Sequence, residues 1–326
     1  MILLRREVGP AFWKLGYNAQ HFHGSIGWEL IGPCVELDGA FSNILCYPRA
    51  GFMCRMFAVR ANQATSSAGS LVEGPICLQN QSCCDLRREK HSDGWGIGYY
   101  VGERALRVRS IHSAYQDREY QDLARNLASE TILAHVRQSS MGRLAVNNCH
   151  PFSYRQWLFA HNGTLYGFPQ VRDRVRNMIP APLRREIQGD TDSEHAFFLL
   201  LARLQESHPT LDEAADWREV RRAIVSTIQE LSELCPGEKE KRSEFNFMLT
   251  DGRMLLASRW GHTLYWLKRQ GHDPFAPDGP VEFPAPGYRA VVIASEPTTS
   301  EPWSELPDRS LICVQPDLSF EITSIG

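Results

Sequence analysis

The chain has 326 residues and a formal net charge of -3, with 43% hydrophobic and 22% charged residues. This balance is typical of a folded globular protein and excludes a disordered one. The slight acidic excess gives no reason to expect nucleic-acid binding. Nine cysteines without regular spacing favour reduced thiols over a disulfide framework, so we expect a cytoplasmic protein.

Residues 1–53 precede the segment in which strand-like alternation begins. They contain scattered charges and no apolar run of signal-peptide or membrane length, so no membrane association is expected. We therefore predict two parts. Residues 1–53 are a leader, a propeptide or a misassigned start, and residues 54–326 form one catalytic domain.

Strand signals dominate the next hundred residues. The pattern predicts a helix at Tyr115–Ser129 and strands at Arg55–Arg60, Asp93–Val101, Ala105–Ile111, Thr131–Val136 and Gln156–Ala160. The glycines of the second strand do not follow the dinucleotide-binding pattern, because the segment after them is strand-like and not helical. They allow close approach of the backbone instead.

Two helices are predicted next, followed by more strands. The helices are Asp192–Gln205 and Leu211–Leu234, and the strands are Phe245–Thr250, Met254–Ser258, Thr263–Leu267 and Tyr288–Ala294. An order of strands, then helices, then strands favours a layered α+β fold over a βαβ winding.

Cys54 lies directly behind Met53 at the start of the first predicted strand. If Met53 is the true start, or if the leader is removed, Cys54 carries a free α-amine beside its thiol. An α-amine titrates near ~7.7–8.0 and a thiol near ~8.5, so one residue could supply both the base and the nucleophile of an acyl transfer. The alternative is a small buried hydrophobic side chain.

Other polar residues also have two interpretations. Asn162-Gly163 is a common turn sequence, but the Asn amide and the following N–H could also donate to an oxyanion. Asp192 could cap a helix or accept hydrogen bonds from a cation. Arg137 ends an apolar strand, where a buried guanidinium needs an anionic partner from the protein or from a substrate.

Two groups of residues raise the question of a metal site: Cys77, Cys83, Cys84 and His91 in one, and His135, His150 and His161 in the other. The first group has no C-x-x-C pair, and adjacent cysteines rarely ligate one tetrahedral ion. The histidines lie at strand ends, which favours packing or hydrogen bonding over a metal or a Cys–His pair. We expect no metal and no cofactor.

Six short motifs follow one another along the chain: Met53-Cys54-Arg55, Asp93-Gly94-Trp95-Gly96, His135-Val136-Arg137, His150-Pro151-Phe152, His161-Asn162-Gly163 and Asp190-Thr191-Asp192-Ser193-Glu194. In this order, behind a Met-Cys pair, they resemble the class II glutamine amidotransferases, which are N-terminal-nucleophile hydrolases. The resemblance extends nearly to the C-terminus, through Ala294-Ser295-Glu296-Pro297 and Trp303. It is strongest to stand-alone bacterial members without a synthase domain.

The resemblance implies a four-layer αββα sandwich of two antiparallel sheets. It also implies cleavage of glutamine or another γ-glutamyl amide through a cysteine thioester, with release of glutamate and of ammonia or an amine. The site residues that it implies are Cys54 as nucleophile, Asn162 and Gly163 as oxyanion donors, and Arg137, Asp192, His161 and Gly94 around the substrate. Arg137 suits the α-carboxylate and Asp192 the α-ammonium.

Two segments depart from the family pattern. Arg87-Arg88-Glu89-Lys90-His91-Ser92 stands where many relatives carry an Arg-Gly pair, and Gln138-Ser139-Ser140 follows the third motif. Three functions are open. The first is a glutamine amidotransferase, whose ammonia escapes or passes to a separate subunit. The others are a hydrolase of γ-glutamyl conjugates in small-thiol metabolism and a catalytically silent binding or regulatory subunit with an internal Cys54.

Overall fold

The computed structural model describes residues 54–83, 91–139, 141–212, 215–238, 241–270 and 287–325. The predicted leader lies outside the described residues, as do Cys84 and residues 87–90 of the departing segment. The strands of the described part are, in chain order, β1 (Arg55–Ser66), β2 (Trp95–Val101), β3 (Arg104–Ser110), β4 (Ala128–Val136), β5 (Phe152–Tyr154), β6 (Trp157–Asn162), β7 (Asn246–Thr250), β8 (Leu255–Arg259), β9 (Tyr265–Gln270), β10 (Arg289–Ala294), β11 (Ser304–Glu305), β12 (Ser310–Val314) and β13 (Phe320–Ser324).

The α-helices of the same part are α1 (Leu78–Cys83), α2 (Arg118–Asn126), α3 (Phe168–Met178), α4 (Ala181–Arg184), α5 (Asp192–Gln205) and α6 (Trp217–Leu234). A π-helical turn at Gly69–Glu73 and a 3-10 turn at Val146–Asn148 complete the regular structure. None of the helices in the described ranges is both long and apolar enough to cross a membrane.

The strands form two antiparallel sheets. The first has the order β11-β9-β10-β1-β4-β2-β3, and the second has the order β13-β12-β8-β7-β6-β5. Side chains of β1 alternate between the two faces of the first sheet, as strand geometry requires. Met56 and Ala58 pack between the sheets, whereas Phe57 and Val59 face α1 and α2.

The outer face of the second sheet is covered by α3, α5 and α6. Phe159 on β6 and Phe247 on β7 pack there against Phe197 of α5, whose ring is stacked on that of Phe159. Almost every side chain of α5 is buried, so this helix lies in the middle of its layer. The layers are thus helix, sheet, sheet and helix, and the predicted αββα sandwich is confirmed.

Two of the predicted helices are too long. Helix α2 begins after Asp117, whose carboxylate caps it by accepting from the Glu119 N–H, and it ends before Ala128, which already pairs with β1. Helix α6 begins only at Trp217, because Leu211 has a positive φ of 55° that is incompatible with a helix. Elements β5, β11, β12, β13, α3 and α4 were not predicted.

Candidate active site

Several strand ends meet at one end of the sandwich. β1 begins directly after Cys54, and its antiparallel neighbour β4 ends at Val136, which pairs with Arg55. β2 begins at Trp95, which pairs with the same Val136, and β10 on the other side of β1 ends at Ala294. The residues just beyond these ends are therefore neighbours in space although they are far apart in sequence.

The Cys54 sulfur lies against the main chain of Gln138. Its thiol donates to the Gln138 carbonyl oxygen at 3.3 Å, and the Gln138 N–H lies 3.4 Å from the same sulfur. Burial raises the pKa of the thiol to about 11, although the Gln138 hydrogen bond and the charges of Arg137 and Arg55 act in the opposite direction. The thiol is therefore protonated near neutral pH and needs a base to become a nucleophile.

Arg137 follows β4 and is only 3% exposed. Its guanidinium donates to the Ser139 hydroxyl and the Met141 carbonyl, both at 2.9 Å, and to the Asp93 carbonyl at 3.5 Å. In the described part of the chain no carboxylate forms an ion pair with it. Arg137 is thus a buried cation whose hydrogen bonds all go to neutral oxygens.

Asp192 is the first residue of α5 and is 3% exposed. One carboxylate oxygen accepts from the Leu165 N–H at 2.8 Å, and the other accepts from the N–H of Ser193, also at 2.8 Å. The helix cap is Thr191, whose hydroxyl accepts from the Glu194 N–H at 3.2 Å. Burial is the main cause of the raised pKa of the Cys54 thiol, and the charge of Asp192 acts in the same direction.

Asn162 and Gly163 lie at the end of β6. The Asn162 amide donates to the Ser295 hydroxyl at 3.5 Å, whereas its carbonyl oxygen is buried and has no hydrogen-bond partner among the described residues. Gly163 has a φ of 151°, and a Cβ there would lie 2.6 Å from the Glu244 carbonyl oxygen. No described residue accepts a hydrogen bond from the Gly163 N–H. The Asn-Gly pair therefore has unused hydrogen-bonding capacity within a packed region.

His161 precedes this pair and has both ring nitrogens engaged. Nε2 lies 2.9 Å from the Glu244 carbonyl, which only accepts, so we assign the proton to Nε2; Nδ1 lies 2.9 Å from the Ser193 hydroxyl. Burial lowers the pKa of this imidazole, which favours its neutral form. His161 thus connects the end of β6 to the start of α5, beside Asp192.

Gly94 supports Arg137 through the backbone. Its carbonyl accepts from the Arg137 N–H at 2.8 Å. Its φ is 121°, and a Cβ at this position would lie 2.6 Å from the Ser110 carbonyl oxygen and 2.7 Å from the Cys149 sulfur. Only glycine fits this conformation and this space. All seven predicted site residues therefore gather at one end of the sandwich.

His135 and His150 form a separate buried pair. His135 Nε2 lies 2.8 Å from His150 Nδ1, and the two rings meet edge to face. Burial holds the pKa of both imidazoles well below the usual range, so both are neutral at physiological pH. This arrangement agrees with the predicted packing and hydrogen-bonding role. In the described ranges no three His, Cys, Asp or Glu side chains are grouped to hold a metal ion.

Sequence reasoning missed the contribution of the loop after β10. The main-chain groups of Met56 bind Ser295, with Met56 N–H donating to the Ser295 hydroxyl at 3.1 Å and Ser295 N–H donating to the Met56 carbonyl at 3.0 Å. Arg55 forms a buried ion pair with Glu296 at 2.6 Å. These residues were noted only as part of the resemblance. Their position just after a strand antiparallel to β1 is the signal that could have placed them beside Cys54.

Comparison with known proteins agrees with this geometry. Residues 53–319 match the family model of the class-II glutamine amidotransferases. The chain is 32% identical to the gamma-glutamyl-hercynylcysteine sulfoxide hydrolase of Mycolicibacterium smegmatis, with 81% of this chain and 96% of that protein covered. It is 27% identical to the "Probable glutamine amidotransferase DUG3" of Saccharomyces cerevisiae, with 81% and 82% covered.

The fold has a solved counterpart as well. The structure of a glutamine aminotransferase class-II domain protein from Silicibacter pomeroyi has a TM-score of 0.54 and 22% identity, with 84% of this chain and 100% of that chain covered. The sandwich and its cysteine-centred cluster define an enzyme with the fold of the N-terminal-nucleophile hydrolases. More narrowly, the chain belongs to the class-II glutamine amidotransferase family, and the family prediction is confirmed.

Proposed function

We propose that the protein hydrolyses a γ-glutamyl amide and releases glutamate together with ammonia or an amine. One observation carries the proposal: a buried cation, Arg137, and a buried anion, Asp192, lie at the same end of the sandwich as Cys54. A γ-glutamyl group presents an α-carboxylate and an α-ammonium at a fixed separation from the amide that is cleaved. The two side chains have the charges that such a group requires.

Arg137 is the proposed partner of the substrate α-carboxylate. A buried guanidinium that binds only neutral oxygens keeps its full charge uncompensated, which is costly in a protein interior. A carboxylate can accept two parallel hydrogen bonds from a guanidinium, and this pairing is stronger than one to a neutral oxygen. Substrate binding would therefore supply the missing counter-charge.

Asp192 is the proposed partner of the α-ammonium. Because Thr191 caps helix α5, Asp192 is not needed for that purpose. Each carboxylate oxygen accepts one backbone N–H, and Oδ1 also lies 3.2 Å from the Ser193 hydroxyl, so Oδ2 retains a further lone pair that can accept from an ammonium. Burial strengthens an ionic hydrogen bond of this kind, because the local dielectric is low.

The proposed mechanism begins with a Cys54 whose α-amine is free. The amine takes the thiol proton, directly or through one water, and the sulfur attacks the δ-carbonyl carbon of the substrate. Asn162 and Gly163 donate to the oxyanion of the tetrahedral intermediate. This intermediate collapses to a γ-glutamyl thioester while the leaving amine receives the proton, and water then hydrolyses the thioester to glutamate and the free thiol.

The mechanism requires that residues 1–53 are absent from the active form, through removal of the leader or translation from Met53. In support, the family match begins at residue 53. An internal Cys54 would have an amide nitrogen, which cannot accept a proton at neutral pH. With no other base assigned to a thiol whose pKa is about 11, the α-amine is the group that completes the site.

A second candidate is hydrolysis of γ-glutamyl conjugates in small-thiol metabolism. It is favoured by the name and the 96% coverage of the mycolicibacterial relative, which is a gamma-glutamyl-hercynylcysteine sulfoxide hydrolase. A cytoplasmic location, inferred from cysteines without regular spacing, is proposed for either function, whereas a separate subunit that accepts ammonia belongs to the glutamine amidotransferase alternative. The remaining alternative is a silent regulatory subunit in which Cys54 stays internal.

Measurement of glutamate release separates these functions. Protein that begins at Cys54 is assayed with glutamine and with a panel of γ-glutamyl amines and thioether conjugates, with Cys54→Ala as the control. Fast release from glutamine supports the amidotransferase, and a large preference for a conjugate supports the small-thiol hydrolase. The proposed function would be contradicted if no compound of the panel released glutamate faster than it does with the Cys54→Ala variant.

A further inference from the structure

The ion pair between Arg55 and Glu296 lies directly behind the nucleophile. Arg55 Nη2 and Glu296 Oε1 are 2.6 Å apart, and the two side chains are 1% and 6% exposed. The other guanidinium nitrogen, Nη1, donates to the carbonyl oxygen of Cys54 itself at 3.1 Å. The same guanidinium thus joins the nucleophilic residue to a carboxylate that lies 241 positions after Arg55 in the chain.

The position of Arg55 also places its charge near the nitrogen of Cys54. The nitrogen and carbonyl oxygen of one residue are less than about 4 Å apart by covalent geometry, so the Cys54 nitrogen lies within about 7 Å of Nη1. At this distance a buried charge affects the ionisation of an amine. Glu296 is the anion that compensates this charge.

We infer that Glu296 is a positioning residue for catalysis, which neutralises Arg55 and thereby keeps the α-amine of Cys54 basic enough to take the thiol proton. This inference rests on the proposed function, because it requires an α-amine at Cys54. Ser295 completes the arrangement, since its hydroxyl binds both the Met56 N–H and the amide of Asn162. The loop after β10 therefore connects the nucleophile Cys54 to the proposed oxyanion donor Asn162 through hydrogen bonds.

The sign of the electrostatic effect follows from the charges. Without the Glu296 charge, the guanidinium of Arg55 disfavours a second cation nearby, so the α-ammonium loses its proton at lower pH and becomes a weaker base. The charges of Arg137 after β4 and Asp192 on α5 also act on Cys54. Both charges are the same in the Glu296 variant and in the unsubstituted protein, so they do not contribute to the difference between the two. If the charge of Arg55 is removed as well, the pKa of the Cys54 α-amine should return to its original value.

Glu296→Gln in protein beginning at Cys54 is the direct test. Glu296 Oε2 has no hydrogen-bond partner in the described part of the chain, so an NH₂ group at that position breaks no bond. The α-amine pKa is measured from the ¹⁵N chemical shift of selectively labelled Cys54 as a function of pH. This readout does not depend on turnover, so it separates failure of the inference from failure of the proposed function.

We expect Glu296→Gln to lower the α-amine pKa by about 1 unit and to move the acidic limb of kcat/KM for glutamine to lower pH by the same amount. The double variant Arg55→Met/Glu296→Gln should return the α-amine pKa to its original value. Glu301→Gln is the matched control, because Glu301 forms another ion pair, in which it accepts from Nε of the buried Arg269 at 2.9 Å. It should leave the α-amine pKa unchanged.

Three results would overturn the inference: no shift in Glu296→Gln, an equal shift in Glu301→Gln, or a double variant that keeps the full shift of the single one. Thermal unfolding of each variant identifies any that does not fold. If the single variant Glu296→Gln does not fold, the double variant decides, because an unchanged α-amine pKa supports charge compensation and a lowered α-amine pKa contradicts it. Absence of turnover in all proteins, with the expected α-amine shifts, would refute only the proposed function.

Discussion

Thr191 and Glu194 form the cap of helix α5, with the Thr191 hydroxyl accepting from the Glu194 N–H at 3.2 Å. From the sequence Asp190-Thr191-Asp192 alone, any of the three residues could cap the helix, and Asp192 could instead bind the substrate ammonium. The bond shows that Thr191 is the cap. Thr191 stabilises the helix, and the neighbouring Asp192 keeps its carboxylate for another partner. The separation can be tested with one variant at each position.

Asp192→Asn should raise KM by roughly 10–150-fold, because a hydrogen bond to a charged group contributes about 1.5–3 kcal/mol. Thr191→Ala should instead lower the free energy of unfolding by about 1 kcal/mol, the usual cost of losing a side-chain cap. Steady-state kinetics and urea unfolding of both variants check this. A larger KM increase in Thr191→Ala than in Asp192→Asn would contradict the assignment.

Arg137→Lys should also act on substrate binding. Lysine keeps the positive charge but cannot donate two parallel hydrogen bonds to a carboxylate, so a loss of about 1.5–3 kcal/mol in binding is expected. The measurement is KM for glutamine and for 4-aminobutanamide, which keeps the ammonium and the amide of glutamine but lacks the α-carboxylate. If 4-aminobutanamide hydrolysis suffers as much as glutamine hydrolysis, Arg137 does not bind the carboxylate.

Asn162→Ala should act on turnover and leave KM nearly unchanged. Loss of one oxyanion donor lowers kcat by ~10²–10³-fold. Asn246 offers a matched control, because it is buried, pairs with Asn162 in the sheet and donates to the His262 carbonyl at 3.0 Å. Asn246→Ala should lower stability with a much smaller effect on kcat, and equal kcat losses in the two variants would argue against an oxyanion role.

Alkylation of Cys54 reports the protonation state of its thiol. With residues 1–53 attached, a pKa of about 11 leaves roughly 10⁻⁴ of the thiol ionised at pH 7, whereas an ordinary thiol of pKa about 8.5 is roughly 3% ionised. Iodoacetamide should therefore label Cys54 roughly 300-fold more slowly than glutathione. The rate should rise about tenfold per pH unit up to pH ~10, as measured by peptide mass spectrometry; a plateau near pH 8.5 would refute the raised pKa.

Much of the site could be predicted because its residues occupy strand ends. Cys54, Arg137 and Asn162 each lie beside a short apolar strand whose pattern is visible in the sequence. Antiparallel pairing then brings these ends together, so complementary side chains far apart in the chain can be assigned to one ligand. The four-layer αββα arrangement was predicted from the resemblance of the six motifs to the class II glutamine amidotransferases.

The remaining parts leave weaker signals in the sequence. Helix α3 buries only Phe168 and Val175, so its apolar period is faint, and the edge strand β13 is mostly exposed. Gln138 acts on Cys54 through its main chain, which any residue could provide. The Arg55–Glu296 pair joins residues whose proximity depends on the register of β1 and β10, and one sequence does not reveal that register.

The N-terminus of the active protein is the most direct test of the mechanism. Two forms are compared, one that begins at Cys54 and one that retains residues 1–53 through a cleavage-resistant substitution at Met53, each verified by intact mass. The account predicts that the short form releases glutamate from its γ-glutamyl substrate and that the long form does so at the level of Cys54→Ala. Equal hydrolysis by both forms would contradict a mechanism in which the Cys54 α-amine is the base.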